Sequence, residues 1–528
     1  MKYYMSKGKK RTIIKSTILI TVFTVLIKIL GLVKQTAISA YCGASFATDA
    51  FNISTGIFGQ IASLIFSGIA VVALTMYINI KENKGDSEAF CFLKTTLISF
   101  IPIAAIISFI VFIFSRNIAI FLAPSYSKNN ILLLSNYIKI VSFSFIPWCI
   151  YLILNVSLEA EKRFIPGRCQ ALFQNLFLIL AALFCVNRFG IVSLVYAFLL
   201  SGIIQCALIL ILNLKKIIKF RLKNYNLCEV KKLLFLAFPL VIGNATSEIN
   251  DIVDKKIATQ IGEGIPSLLT YSATLNEIIT GVIISSLSIV LFVHFSDMVA
   301  KKDIKKLELL LRKSVLFLTF MLIPITIIFS ISGLNIVKVV YGRGMITTNN
   351  IKIINTLLLG YSLGFIFQAT RIIYAKALYA FQNTKDPLVN GIVSIIVNAV
   401  LSVVLTQKFG YIGISISTSI SMFIATILLH YSLKKYLPSF SFKADIKELI
   451  KMLFAGCFSS IIIFSVNSAL NMYIASDWLI IFIQIILCIG IYLISLYLLK
   501  SNILNEFINL TTSYITTKKR KGYRNVHL

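Results

Sequence analysis

The chain has 528 residues, of which 58% are hydrophobic and only 13% charged, and its mean hydropathy is +0.89. Apolar runs of ~20 residues recur along it, which excludes an ordinary soluble globular protein and indicates a polytopic helical membrane protein. The formal net charge is +31, but the basic residues cluster between the apolar runs. There they set topology and meet anionic lipid headgroups, so we expect membrane lipids and no nucleic acid as partners.

The apolar runs predict an all-α fold with about fourteen transmembrane helices. Basic residues concentrate in alternate loops and in the tail, which places both termini in the cytoplasm if all fourteen helices cross the membrane. The expected spans, in chain order, are 13–39, 51–80, 91–114, 131–157, 166–187, 190–213, 232–258, 266–296, 312–333, 351–380, 387–407, 411–434, 448–472 and 477–499.

An internal repeat divides the first twelve of these helices into two halves. Arg188-Phe189-Gly190 recurs as Lys408-Phe409-Gly410, and Lys34 and Gly43 recur as Lys255 and Gly264 at nearly the same offset along the chain. Both halves begin on the cytoplasmic side, so the repeat is parallel, as in transporters whose substrate site lies between two pseudo-symmetric lobes. The predicted parts are an N-terminal six-helix lobe (1–213), a basic cytoplasmic linker (214–232) and a C-terminal six-helix lobe (233–434). Helices 13 and 14 (435–500) and a basic cytoplasmic tail (501–528) follow.

Charged residues lie near the membrane-apolar stretches of the first two helices. Lys28 and Lys34 are both in the first helix, and Asp49 opens the second. Charge inside a membrane is costly, so such residues are candidates for function. We interpret Lys28, Lys34 and Asp49 as lining a water-filled cavity that handles an anionic, lipid-linked substrate. For Lys34 the alternative is that its amine snorkels to the membrane surface.

The seventh predicted helix is unusually polar and carries Asp251, Asp254 and Lys255. Such a helix cannot face lipid throughout, so we expect it to face the central cavity. Lys255 is the repeat counterpart of Lys34, although an i,i+4 pair with Asp251 would give it a purely structural role. Glu277 in the eighth helix is a further candidate for substrate binding. Asp251 or Asp254 could hold a coupling cation as a metal site.

Motifs of catalysis and of nucleotide binding are missing from the sequence. There is no P-loop, no HExxH and no nucleophile elbow. We therefore expect no enzyme, no cofactor and no ATP-driven pump, with energy supplied by a coupling cation or by the membrane potential. The nine cysteines form no CxxC pattern, which favours small buried hydrophobes over metal ligands or disulfides.

Four motifs together resemble the MurJ/MviN-type lipid II flippases of the multidrug/oligosaccharidyl-lipid/polysaccharide exporter superfamily. They are the stretch from Lys28 to Lys34 followed by residues 43–51, then Tyr341 to Thr347, then Ala377 to Pro387, and more loosely Val253 to Gly264. The resemblance implies two six-helix lobes with alternating access and a lipid-tail groove formed by helices 13 and 14. It also implies a bacterial cytoplasmic-membrane protein that moves an undecaprenyl-diphosphate-linked peptidoglycan precursor outward, with the cell-wall synthesis machinery as a further expected partner.

The sequence departs from the family pattern at several cationic positions. Lys28 and Lys34 stand where the family usually has arginines, and lysine lacks the bidentate fork that suits a diphosphate. Further family arginines fall on Ala62, Ser63 and Thr274. Three readings therefore stay open: a lipid II flippase, a flippase for another polyprenyl-linked glycan such as a capsular or exopolysaccharide unit, and a non-transporting membrane scaffold.

Overall fold

The computed structural model describes residues 7–220, 227–474 and 476–508, and in these ranges all regular secondary structure is helical. The all-α prediction is therefore confirmed. Parts of the predicted basic linker (221–226) and basic tail (509–528) lie outside the described residues. The α-helices are α1 Lys7–Cys42, α2 Phe46–Lys84, α3 Asp86–Ile113, α4 Ser115–Leu122, α5 Lys128–Ser142, α6 Phe145–Ala160, α7 Ile165–Leu180, α8 Val186–Phe189, α9 Val192–Lys219, α10 Leu227–Ile261, α11 Ile265–Ile279, α12 Ser285–Ala300, α13 Ile304–Ile331, α14 Gly333–Tyr341, α15 Thr348–Ser362, α16 Phe365–Ala380, α17 Lys385–Phe409, α18 Ile412–Lys434, α19 Ile446–Tyr473 and α20 Asp477–Leu498. Short π-helices follow α7 and α11.

Helix bounds repeat along the chain with the spacing that the sequence predicted. Both bounds of α5 and both bounds of α6 recur in α15 and α16 with one constant offset. Backbone positions with positive φ recur at the same offset, since Lys162 corresponds to Gln382 and Gly190 to Gly410. Two segments that turn and restart helices at equivalent places carry the same local structure, which confirms the internal repeat.

Among the residues that the structure describes, eleven helical segments are long and apolar enough to cross a membrane, or twelve if α15 and α16, bent by 44°, form one span. The protein is thus a multi-pass membrane protein. The predicted count of fourteen is not confirmed, and parts of the predicted seventh and eighth spans, 232–258 and 266–296, lie outside the side chains that the structure describes.

The seventh and eighth predicted spans fall on α10 and on α11 with α12. α10 carries lysines at its beginning and several carboxylates and lysines in its second half. A π-helix, Thr280–Ile284, connects α11 to α12. A π-turn inserted in a helix is often found at functional sites, and α10 and α11 carry several of the candidate residues.

The chain divides into two compact units. The first comprises Met1–Ile278, Tyr341–Asn350 and Ala399–Ile414, and its apolar core gathers around α2, whose buried side chains run from Ala50 to Tyr77. The second comprises Ile279–Val340, Ile351–Asn398 and Ser415–Leu528, with cores that involve α13, α16, α19 and α20. Because α10 packs along α2, it belongs to the first unit. The lobe boundaries at 213 and 233 stay a prediction.

Candidate functional site

Asp49 lies in the first turn of α2, where the helix dipole favours a negative charge. Ser45 caps this helix by accepting a hydrogen bond from the amide of Thr48, and the Thr48 hydroxyl donates to the carbonyl of Cys42. These local contacts fix the turn between α1 and α2. They also orient the Asp49 side chain into the protein, where it is fully buried at 0% exposure.

Four donors converge on the Asp49 carboxylate, and we call these residues the Asp49 network. The backbone amides of Gly264 and Ser267 donate to it at 2.6 and 2.9 Å. The hydroxyls of Ser267 and Tyr126 donate at 2.5 and 3.0 Å. These donors satisfy the hydrogen-bonding capacity of a carboxylate that has no contact with water. Burial, together with the negative charge of Asp49, raises the pKa of Tyr126 well above its usual range, so the phenol keeps the proton that it donates.

The position of Asp49 differs from the one that the sequence suggested. We expected Asp49 to line a water-filled cavity with Lys28 and Lys34, but in this structure it has no exposed surface. Its oxygens are occupied by donors that follow it in the chain by 77 to 218 residues. Asp49 thus holds the α1–α2 turn against the start of α11 and does not face a solvent-filled cavity.

Glycine turns from distant parts of the sequence meet at the Asp49 network. Gly264 has a φ of +84°, and a Cβ there would lie 2.7 Å from the carbonyl oxygen of Ala44. Gly344 has a φ of +65°, and a Cβ there would overlap the carbonyl of Ala40. The amide of Met345 donates to that same carbonyl at 2.9 Å. The two tight approaches explain why the motifs around residues 43–49, 262–264 and 341–345 carry glycine.

Replacing Gly344 with alanine is expected to destabilise the protein by about 2–5 kcal/mol. The substitution adds the strain of a positive φ, about 1–2 kcal/mol, to the overlap with the Ala40 carbonyl. Gly410 is the matched control, because it has the same φ of +65° and a Cβ there meets nothing within 4 Å. Thermal unfolding of the purified variants in detergent measures both effects. Equal melting temperatures for Gly344→Ala and Gly410→Ala would contradict the close packing of this turn.

A second group of polar residues lies along α1, α10 and α11. Lys28 of α1 forms an ion pair with Glu277 of α11, with 3.1 Å between Nζ and Oε2. The Lys28 side chain is 37% exposed and that of Glu277 is 64% exposed. Since both groups reach solvent, this pair contributes at most about 1 kcal/mol of stability and opens easily.

Glu277 is the common neighbour of the other charged candidates. Its charge acts on Lys34, on Lys255 and on Asp251. The structure therefore brings Lys28, Lys34, Lys255, Asp251 and Glu277 together, and Glu248 joins them through Lys255 and Asp251. We call these six residues the charged cluster.

Lys34 and Lys255 are the two cations of this cluster that have no bonded partner among the described residues. Neither forms an ion pair within 4.0 Å or a side-chain hydrogen bond in that part of the chain, and both are half-buried. At 1.5 Å per residue, Lys34 lies about 12 Å before the end of the candidate membrane span Val22–Cys42, and Lys255 lies about 9 Å before the end of α10. The alternative that Lys255 is paired with Asp251 is not seen in the structure.

Glu248 was missed in the sequence analysis, although a signal for it exists. Glu248, Asp251 and Lys255 are spaced three and four residues apart, which places them on one stripe of α10. With Glu248 included, the cluster contains three lysines and three carboxylates. It is thus a balanced polar group and not the purely basic site that Lys28 and Lys34 alone suggested.

Asp254 lies on α10 but outside the charged cluster. It is only 6% exposed and accepts hydrogen bonds from Asn250 at 3.3 Å and from Ser402 at 3.4 Å. Asp251, by contrast, is exposed within the cluster. In the described part of the chain, no group of three His, Cys, Asp or Glu side chains could hold a metal ion. A coupling cation at Asp251 or Asp254 stays a prediction.

Other cationic positions do not add to the cluster. Ala62 is fully buried, and the Thr274 hydroxyl donates to the carbonyl of Thr270, so the positions that correspond to family arginines carry no charge. Lys256 turns away and places its amine 3.8 Å from the centre of the Phe121 ring. Arg371 belongs to the second unit, where its guanidinium contacts Asn390 and Met422.

Comparison with known proteins gives consistent matches. The model of the family described as "Lipid II flippase MurJ" matches residues 38–500. A probable lipid II flippase MurJ of Treponema pallidum is 25% identical over 443 residues, or 81% of this chain and 82% of that protein. The corresponding protein of Rickettsia prowazekii is 25% identical over 514 residues, or 93% and 98%.

Solved structures show the same fold. A lipid II flippase MurJ in an inward closed conformation aligns with a TM-score of 0.77 at 23% identity, covering 90% of this chain and 98% of that one. An inward-facing multidrug transporter of the MATE family in the MOP superfamily aligns with a TM-score of 0.67 at 12% identity, covering 80% and 98%. These likenesses establish the fold that positions the charged cluster.

Proposed function

Because this chain belongs to the MurJ family of lipid II flippases, we propose that it moves lipid II, the lipid-linked peptidoglycan precursor, across the bacterial cytoplasmic membrane. The headgroup passes from the inner to the outer leaflet by alternating access. The chain acts as a transporter and not as an enzyme. Its alternating basic loops support cytoplasmic placement of both termini.

The observation that carries this proposal is the pair of ammonium groups of Lys34 and Lys255, which are half-buried and have no bonded partner in the described ranges. A buried cation without a partner is costly, and a diphosphate supplies the missing negative charge. Lysines meet a diphosphate as point charges that adapt to its position. Lys28 joins them when its exposed ion pair with Glu277 opens.

The carboxylates of the cluster have a different role from the lysines. Glu277 repels a diphosphate, so in this proposal it meets hydroxyl or ammonium groups of the headgroup and returns to Lys28 after the substrate has left. Asp251 and Glu248 limit the net charge of the site and so favour release. The lipid tail would lie against α19 and α20, whose outer surfaces expose large apolar side chains such as Phe454, Phe464 and Phe482.

A second candidate is a flippase for another polyprenyl-linked glycan. It is favoured by the uncharged residues at Ala62, Ser63 and Thr274 and by the three carboxylates that balance the lysines. Both candidates share the diphosphate and differ in the sugar. A non-transporting scaffold is less favoured, because it leaves Lys34 and Lys255 without a compensating ligand. The coupling cation or membrane potential, and contacts with the cell-wall synthesis machinery, belong to this proposal as well.

Complementation tests the proposal. A bacterial host is depleted of its own lipid II flippase and expresses this chain, with the empty vector and a Lys34→Ala variant beside it at equal membrane levels. We expect growth with the wild-type chain and lysis with the other two. Direct measurement of lipid II accessible at the outer surface distinguishes transport from indirect rescue. Absence of lipid II movement in proteoliposomes that contain the well-folded chain, while another polyprenyl-linked glycan moves, would favour the second candidate.

A further inference from the structure

The ammonium group of Lys255 lies directly against the backbone of Gly56 on α2. A Cβ at position 56 would overlap Lys255 Nζ, and the same point lies 3.5 Å from Cε and 3.8 Å from Cδ. The end of the lysine side chain therefore occupies the space in which any other residue at position 56 would place its side chain. Only glycine leaves this space open.

The close contact at Gly56 belongs to a close packing of α2 against α10. Farther along α2, a Cβ at Gly68 would lie 3.1 Å from Val241 and 3.2 Å from the carbonyl oxygen of Ala237. Small residues permit such a close approach of membrane helices. Gly59, in the turn of α2 that follows Gly56, has nothing within 4 Å of the corresponding position. The space requirement is thus specific to certain glycines and is not a general property of this helix.

We infer that Gly56 is a positioning residue, which makes the space that holds the Lys255 ammonium at the α2–α10 contact. This inference rests on the proposed function, in which Lys255 meets the substrate diphosphate. The space holds the charge without an ion pair to the described residues, so the charge stays available to a ligand. If a methyl group fills the space, the amine moves toward the carboxylates of its own helix stripe, Asp251 and Glu248, and an internal ion pair replaces the open cation.

The test compares Gly56→Ala with Gly59→Ala, each in the wild type and in a Lys255→Ala background. Transport of a fluorescent lipid II analogue is measured in proteoliposomes of the purified, full-length protein. We expect Gly56→Ala to lower transport by about 10- to 100-fold, because a displacement of ~1 Å of a contacting group has effects of this size. Gly59→Ala leaves transport unchanged. Both substitutions favour the helix to the same degree, so weakening of α2 does not explain a difference between them.

In the Lys255→Ala background, Gly56→Ala is expected to cause no further loss, because the methyl group enters vacated space. This non-additivity separates positioning of Lys255 from a structural role of Gly56. Equal activities of Gly56→Ala and Gly59→Ala overturn the inference. An equal loss with and without Lys255 also overturns it, since Gly56 would then act independently of the lysine.

A second readout does not depend on transport. The intact, detergent-purified protein is treated with a small amine-specific reagent, and the labelled fraction of Lys255 is then measured by mass spectrometry of the peptide that contains it. We expect the rate of labelling to change in Gly56→Ala but not in Gly59→Ala, and an unchanged rate in both overturns the inference. If the wild-type chain moves no lipid II, the proposed function fails, while the modification rates still decide whether Gly56 positions Lys255.

Discussion

Replacing Lys34 with methionine is expected to abolish transport and at the same time to stabilise the protein. Methionine has a similar length and removes a charge that has no bonded partner among the described residues and lies about 12 Å inside the membrane span. A charge at the centre of a membrane helix costs roughly 2.5–3.5 kcal/mol. Because Lys34 is half-buried and not fully enclosed, we expect a gain of about 1 kcal/mol. Lipid II transport and thermal unfolding in the same detergent preparation measure the two effects.

Two control variants separate the effect of the charge at position 34 from other effects of the substitution. Lys34→Arg keeps the charge and is expected to retain transport without gaining stability. Lys28→Met removes a cation that is paired with Glu277 and leaves that carboxylate behind, so we expect a loss of transport without stabilisation. If Lys34→Met transports normally, the lysine does not serve the substrate. A lower melting temperature in Lys34→Met means that the lysine has a structural role.

Replacing Asp49 with asparagine is expected to destabilise the protein by about 2–4 kcal/mol and to reduce transport strongly. The amide nitrogen of asparagine cannot accept the hydrogen bonds that converge on the carboxylate, so at least one buried backbone amide, that of Gly264 or Ser267, loses its partner. Hydrogen bonds to charged groups contribute about 1.5–3 kcal/mol each. Thermal unfolding and transport assays check both parts of the prediction.

The Asp49 network also predicts that the loss of stability depends on how many of its hydrogen bonds a substitution removes. Tyr126→Phe removes one donor and is expected to cost about 1 kcal/mol, which is less than Asp49→Asn. Asp86→Asn is the matched control, because Asp86 also lies in the first turn of a helix but is 62% exposed and forms its ion pair with Lys81 at the surface. We expect it to unfold like the wild type. If Asp49→Asn behaves like this control, the network does not hold the turns together.

Much of the fold could be predicted from the sequence because membrane helices leave a local signal. Length and hydropathy located the spans, and motifs that recur at a nearly constant offset revealed the repeat that the helix bounds later showed. The spans predicted at 232–258 and 266–296 fall on α10 and on α11 with α12, which are more polar than the other predicted spans or interrupted by a π-helix. These helices carry Asp251, Lys255 and Glu277, so the polarity that makes them candidates for function also weakens the apolar signal of a membrane span.

The sequence predicted which charged residues belong to the candidate site but not which residues they contact. Charge in an apolar setting pointed to Lys28, Lys34 and Lys255, and the structure brings them together around Glu277. Asp49 gave the same signal, yet its donors Gly264 and Ser267 are 215 and 218 residues away. Only the packed fold brings such distant residues into contact. Local sequence therefore could not distinguish a buried structural carboxylate from one that faces substrate.

The meeting of the glycine turns at Asp49 has a consequence for how such proteins are classified. The stretches that make the family recognisable, around residues 43–51, 262–264 and 341–345, are the stretches that bind one another in this structure. The same motifs also carry the cations proposed to meet the substrate, since Lys28 and Lys34 lie in the first motif and Lys255 lies in the last. One set of short motifs therefore combines residues that hold the fold with residues proposed to meet the cargo. A match to these motifs reports both properties at once, and separating them takes variants that change the lysines and leave the glycines in place.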